Sequence, residues 1–126
     1  MSTRLGGSGG VIVNVSSLAS TFGGRAGASD YAASKAAVDV FSVALAKEVS
    51  GEGIRVNVIR PGMTWTDMTS RLEQDPALRA RIEATIPMHR IASADEIARP
   101  IVWLLSDEAS FVSGAHLDAS GGGLIV

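Results

Sequence analysis

The stretch SLASTFGGRAGASDYAASK, residues 17–35, decides how this chain is read. Three of its side chains can act together: Ser17, Tyr31 and Lys35. Tyr31 and Lys35 are four residues apart, and the run AASKAAVDVFSVALAKEV (32–49) reads as a helix. An i, i+4 pair shares one helix face, so a lysine ammonium can sit beside a phenol oxygen. That matters because a free tyrosine, with a pKa of about 10, is a poor proton donor or acceptor near neutrality. A neighbouring cation favours the phenolate. Ser17 follows the apolar run VIVNVS (11–16) and so falls where a strand ends, a usual place for a reacting group in an open α/β sheet.

Working outward, GGSGG (6–10) comes before a strand rather than between a strand and a helix, so it reads as a turn and not as a phosphate loop. VIVNVS is β-branched and of the buried parallel type. Residues 18–29 are small and glycine-rich and form a loop. Ser29 or Asp30 is the expected N-cap of the helix that carries Tyr31 and Lys35. Its apolar positions Ala36, Ala37, Val40, Phe41, Ala44 and Leu45 step at helical spacing, and Val38 and Val43 widen the stripe. A stripe that wide suggests burial on two sides.

Gly51 and Gly53 end that helix. Ile54 to Ile59 is the second strand, broken by Pro61-Gly62. A βαβ order makes the two strands parallel with a right-handed crossover. Ser17 and the Pro-Gly turn then share the C-terminal edge of the sheet, where ligands bind in such folds. Further on, Asp75-Pro76 starts a short helix with Ala77, Leu78, Ile82 and Ile86 inside, and Pro87 stops it. Ser93 and Glu96 form a capping box for the next helix, whose expected buried face is Ile97, Ile101, Leu104 and Leu105, with Pro100 inside it. AHLDAS (115–120) is a last short strand, and GGGLIV closes the chain.

NVSS (14–17), YAASK (31–35), RVNVIRPGMTWTDM (55–68) and SDEASFVSG (106–114) together resemble the short-chain dehydrogenases/reductases, in the family's order and from Gly9 to Gly123. The resemblance implies an α/β fold: a partial Rossmann-like, doubly wound parallel sheet of the last three strands with flanking helices. Residues 1–126 would be one domain, matching the C-terminal catalytic and substrate-binding half. The family's N-terminal dinucleotide-binding half, with its glycine-rich turn, has no counterpart, so the outer edge of the first strand should be open.

The resemblance also implies roles. Tyr31 would be the general acid or base of a hydride transfer between a nicotinamide and an alcohol or carbonyl carbon. Lys35 would tune it and hold the nicotinamide ribose, and Ser17 would bond the substrate oxygen. PGMTWTDM (61–68) would be the nicotinamide loop, with Pro61, Gly62, Met63, Thr64 and Thr66 toward the cofactor, NAD or NADP. Trp65 and Met68 would line the substrate side; read alone, both are equally core residues. Residues 69–92 would form a lid. The Tyr31–Lys35 helix would pack against its copy in a homo-oligomer.

Composition narrows the classes. The chain has 126 residues, is 46% apolar and 19% charged, and carries a net charge of −2, which argues against a nucleic-acid surface. It has no cysteine, so disulfides and thiolate chemistry are excluded. IVWLL (101–105), its longest apolar run, is far below the ~20 residues of a membrane span. MSTRLGGSGG has no apolar h-region, so the expected compartment is the cytoplasm. A serine-hydrolase reading fails, since no GxSxG elbow is present and neither His89 nor His116 has triad spacing. His89 reads as surface or structural, and His116 finds no metal partner at ligand spacing. Three possibilities stay open: a partial dehydrogenase, a non-catalytic interaction or assembly module, and an oligomer whose nicotinamide half-site binds ligand weakly.

Overall fold

Three strands and the helices between them make up the computed structural model, which describes residues 1–123; the closing LIV of the glycine-rich tail lies outside the described residues. In chain order the elements are β1 (Gly10–Val15), α1 (Ala19–Phe22), α2 (Ser29–Val49), β2 (Ile54–Pro61), α3 (Pro76–Glu83), α4 (Ala94–Leu105) and β3 (His116–Ala119). Short 3-10 turns cover Thr3–Leu5, Ser50–Glu52, Asp67–Glu73 and Asp107–Ala109.

The sheet runs β1-β2-β3 and is parallel throughout, with Gly10 opposite Ile54 and Val58 opposite His116. β2 is in the middle and alternates between two buried faces, as period-2 geometry requires. Val56 packs with Ala46 of α2 on one face. On the other, Arg55 and Asn57 bond to the end of α4 and the segment after it. Helices thus cover both faces, the doubly wound arrangement expected. Among the described residues β1 pairs only with β2, which leaves its outer edge open.

α2 corrects the sequence reading twice. Neither Ser29 nor Asp30 is its N-cap; both are already helical, and Ala28 stands at the cap without a side-chain bond. Asp30 instead accepts the Tyr31 N–H at 2.8 Å, and its charge suits the positive end of the helix. The apolar stripe faces the sheet only in part, with Leu45 packed beside Ala46, Ile54 and Val56. The fully buried residues of α2 are Ala32, Asp39, Ser42 and Ala46, whereas Val40 and Phe41 are 72% and 60% exposed. The reason is close approach: these residues are small or hydrogen-bonded, and Asn14 Nδ2 of β1 donates to Ser42 Oγ at 2.8 Å.

The two capped helices begin as read. Asp75 accepts the Leu78 N–H at 2.9 Å with Pro76 in the first turn, and Ser93 and Glu96 form their capping box. α3 stops at Glu83, short of Pro87, while Ile82 and Ile86 still bury with Leu72 and Ile91. α4 continues through Pro100, but of its expected buried face only Leu104 is fully covered, and Leu105 is 46% exposed. Strand ends differ by a residue or two, with β3 covering 116–119 rather than 115–120. No helix among the described residues is long and apolar enough to cross a membrane.

Candidate active site

The sheet ladder continues past the end of β1, and this builds the site. Ser16 N–H donates to Ile59 O at 2.9 Å and Leu18 N–H to Pro61 O at 3.0 Å. Ser17 is therefore held between two ladder bonds, directly beside the turn that follows β2. Its neighbours face different ways, as in any strand. Ser16 is buried and its Oγ donates to Lys35 O at 3.0 Å, while Ser17 Oγ accepts the Ala19 N–H at 3.1 Å. That acceptor bond leaves the Ser17 hydroxyl proton available to a further acceptor.

α2 brings Lys35 to the same edge. Its Nζ donates to Val15 O at 3.1 Å and lies 5.8 Å from the centroid of the Tyr31 ring. An ammonium has three protons, so two remain for other partners. Tyr31 is 41% exposed. The i, i+4 pair thus meets on one helix face at the end of β1, as its spacing requires.

The Pro-Gly turn is tied on its other side to the tail. Gly62 N–H donates to Ala119 O at 2.9 Å, and a Cβ on Gly62 would stand 2.8 Å from Ser120 Cα. Only glycine fits that approach. Beyond it, Thr64 bridges Ala92 in parallel, with Trp65 N–H on Ala92 O at 2.8 Å and Ala92 N–H on Met63 O at 3.1 Å. This pattern turns the Thr64 N–H away from Ala92, and among the described residues it has no hydrogen-bond partner. Thr66 is taken up in a capping box with Thr69, as acceptor of the Thr69 N–H.

The two aromatic and thioether positions part company. Trp65 packs on the cluster of Leu72, Ile82, Ile86 and Ile91, with the Arg79 guanidinium 5.1 Å above its ring. Met68 is 82% exposed. His89 is exposed with a positive φ of 52°. No cluster of three or more potential metal ligands occurs among the described residues.

Sequence reasoning passed over Asp39 and Arg60. Asp39 Oδ2 accepts from Arg60 Nε at 2.9 Å, with the two side chains only 8% and 19% exposed. Burial disfavours the Asp39 charge, but its polar surroundings, with the Arg60 guanidinium bonded to Oδ2, outweigh it and hold the carboxyl below the usual carboxylate range. Ser20 Oγ donates to Ser17 O at 2.8 Å and Ser16 Oγ to Lys35 O, so Asp39 Oδ1 is left without a donor. The available signals were a charge inside the apolar run of α2 and another at the end of an apolar strand.

The family model described as enoyl-(acyl carrier protein) reductase matches residues 2–123. The chain belongs to the short-chain dehydrogenase/reductase family. It is 48% identical over 122 residues to the uncharacterized oxidoreductase YgfF of Escherichia coli (strain K12), covering 97% of this chain and 49% of that one. It is 45% identical over 113 residues to the 3-oxoacyl-[acyl-carrier-protein] reductase FabG of Salmonella typhimurium, covering 90% of this chain and 45% of FabG. A solved 3-oxoacyl-[acyl-carrier protein] reductase from Brucella melitensis superposes with a TM-score of 0.84 at 36% identity, over 92% of this chain and 42% of that one. Another, from Agrobacterium tumefaciens, described as a 2-deoxy-d-gluconate 3-dehydrogenase and solved with bound NADP, gives 0.83 at 38% identity, over 90% and 46%. This dehydrogenase/reductase chain spans about half the length of the curated relatives it matches.

Proposed function

We propose that the chain carries the proton-transfer and nicotinamide-facing half of an NAD- or NADP-dependent oxidoreductase acting on a small alcohol or carbonyl compound. The observation that carries this reading is the Lys35 ammonium, shared between Val15 O and the Tyr31 ring at the edge where Ser17 meets the Pro61-Gly62 turn. Tyr31 would act as general acid in reduction and general base in oxidation, with the Lys35 ammonium beside its ring. The free hydroxyl proton of Ser17 would bond the substrate oxygen and steady its developing charge.

The donor set fits a nicotinamide. The unpartnered Thr64 N–H suits a carboxamide oxygen, and the two remaining Lys35 protons suit ribose hydroxyls. Pro61, Gly62 and Met63 would shape the loop around it, and the Thr66 hydroxyl would add a further bond. A bound nicotinamide supplies the carbon that gives or receives hydride. The bound NADP of the Agrobacterium tumefaciens structure supports the same cofactor class here. Residues 1–126 would then be the C-terminal half of the fold, and a complete site would also need the dinucleotide-binding half.

A second reading, assembly, is favoured by the bare apolar face of α2, where Val40 and Phe41 stand out into solvent. A second copy of α2 would cover it, giving a homo-oligomer, with or without catalysis.

Titrating the purified chain with NADH and with NADPH tests the first reading. Trp65, in the proposed loop, reports binding through energy transfer to the nicotinamide. Saturable quenching that disappears in the Tyr31→Phe/Lys35→Ala double variant is expected. A folded chain that shows no quenching with either nucleotide removes the cofactor reading and leaves assembly.

A further inference from the structure

We propose that Asp39 is a positioning residue for the Tyr31–Lys35 pair, anchored by Arg60 on β2. The proposal rests on the reading of that pair given above. Asp39 lies four residues after Lys35 and so on the same helix face, one turn farther from the sheet edge. It is only 5% exposed, on a helix whose outer face is apolar.

Its partners come from the two strands beyond β1, namely β2 and β3. Arg60, at 2.9 Å, directly precedes Pro61 and the proposed nicotinamide loop. The hydroxyls of Ser16 and Ser20, which flank Ser17, donate to Lys35 O and Ser17 O and leave Asp39 Oδ1 without a donor. From β3, His116 Nε2 comes within 3.3 Å of Asp39 O and 4.0 Å of Oδ1. One carboxylate is therefore bonded to the end of β2 and lies 4.0 Å from His116 of β3, while riding on the helix that carries Tyr31 and Lys35.

Cohesion alone does not call for such a pair, because a buried ion pair can often be replaced by apolar residues of similar volume with no loss of stability. A carboxylate–guanidinium bond adds direction. It fixes the rotation of α2 about its own axis against β2. That rotation decides where the long Lys35 side chain delivers its ammonium, between Val15 O and the Tyr31 ring. Without the anchor the helix can stay packed through Ala32, Ser42 and Ala46 and still turn by enough to separate the two.

Tyr31 is the one tyrosine of the chain, so its ring-carbon resonance in NMR reports on a single site and needs neither cofactor nor substrate. Lys35→Ala sets the scale by displacing that resonance at fixed pH. Asp39→Asn and Arg60→Met, which roughly preserve volume, are expected to reproduce most of that displacement with the Trp103 indole signal on α4 unchanged. Asp39→Asn should add nothing further in a Lys35→Ala background, as coupled sites require. Arg60→Lys, which keeps the charge but loses the planar fork, should fall between Arg60→Met and the parent, and it carries the test if Asp39→Asn unfolds. A Tyr31 resonance that moves in Lys35→Ala but stays put in folded Asp39 and Arg60 variants overturns the positioning role alone. A resonance indifferent to Lys35→Ala removes the Tyr31–Lys35 reading itself, and the inference with it.

Discussion

The Leu18 N–H donates to the Pro61 carbonyl oxygen at 3.0 Å, one residue beyond Ser17 on one strand and one before Gly62 on the other. This bond locks the register of two loops that are far apart in sequence. It makes the position of the Pro-Gly turn a property of the sheet rather than of the loop.

Gly62→Ala tests that lock from the other side. The new methyl would stand 2.8 Å from Ser120 Cα, a contact that backbone must move to relieve. A loss of about 1–3 kcal/mol in denaturant unfolding is expected, the usual cost of overpacking, together with weaker nucleotide quenching of Trp65. Unchanged stability would mean that the tail yields freely and does not hold the turn.

Asn57 is wholly buried, donating to Val112 O at 2.8 Å and accepting from Ala115 N–H at 3.1 Å. Asn57→Ala strands the Ala115 N–H, at a cost of about 1–3 kcal/mol, while Val112 O keeps a donor in Arg55 Nη1 at 3.3 Å. The expected result is a large fall in the denaturation midpoint, comparable to a core truncation. A midpoint within experimental error of the parent would show that the segment after α4 is held by other contacts.

Glu96 is held at about 2, below its ordinary 4.5, chiefly by its hydrogen bond from Arg90 and next by the Ser93 backbone. Its folded value is depressed, so its contribution to stability is present above pH 4.5 and lost as pH falls toward 2. The melting temperature should drop across that window, and less steeply in Glu96→Gln. Parallel pH profiles for parent and variant would assign the acid sensitivity to other carboxylates.

Phe41→Glu addresses assembly, since Phe41 is 60% exposed on the outer face of α2. Sedimentation should show a shift toward monomer with helix content kept. A parent chain that is already monomeric at high concentration ends the oligomer reading.

Much of this fold could be read from residue order. The three strands, their parallel sense and the two capped helices follow from apolar runs, turn residues and the Asp75 and Ser93 caps. So does the meeting of Tyr31 and Lys35, because helical spacing alone brings them to one face. The facing of α2 could not be read that way. Its apolar residues surround the helix, and the side that packs is chosen by smallness and hydrogen bonding, through Ser42 to Asn14 and Asp39 to Arg60. Such matches join residues 21 and 28 positions apart, so no local periodicity reveals them. Arg55 is a similar case: its guanidinium bonds Leu104 O and Ser106 O at 2.9 Å each, finishing a helix from the neighbouring strand.

The middle strand of the sheet depends on the last. Asn57 reaches its partners on Val112 and Ala115 across 55 and 58 residues of chain. As a ribosome makes this polypeptide, β2 emerges with one edge ready for β1 and the other bare until residues near 116 follow. Closing so long a loop is slow, and a bare apolar strand is sticky. The interval between synthesis of β2 and of β3 is therefore the time when this chain is most exposed to misassembly.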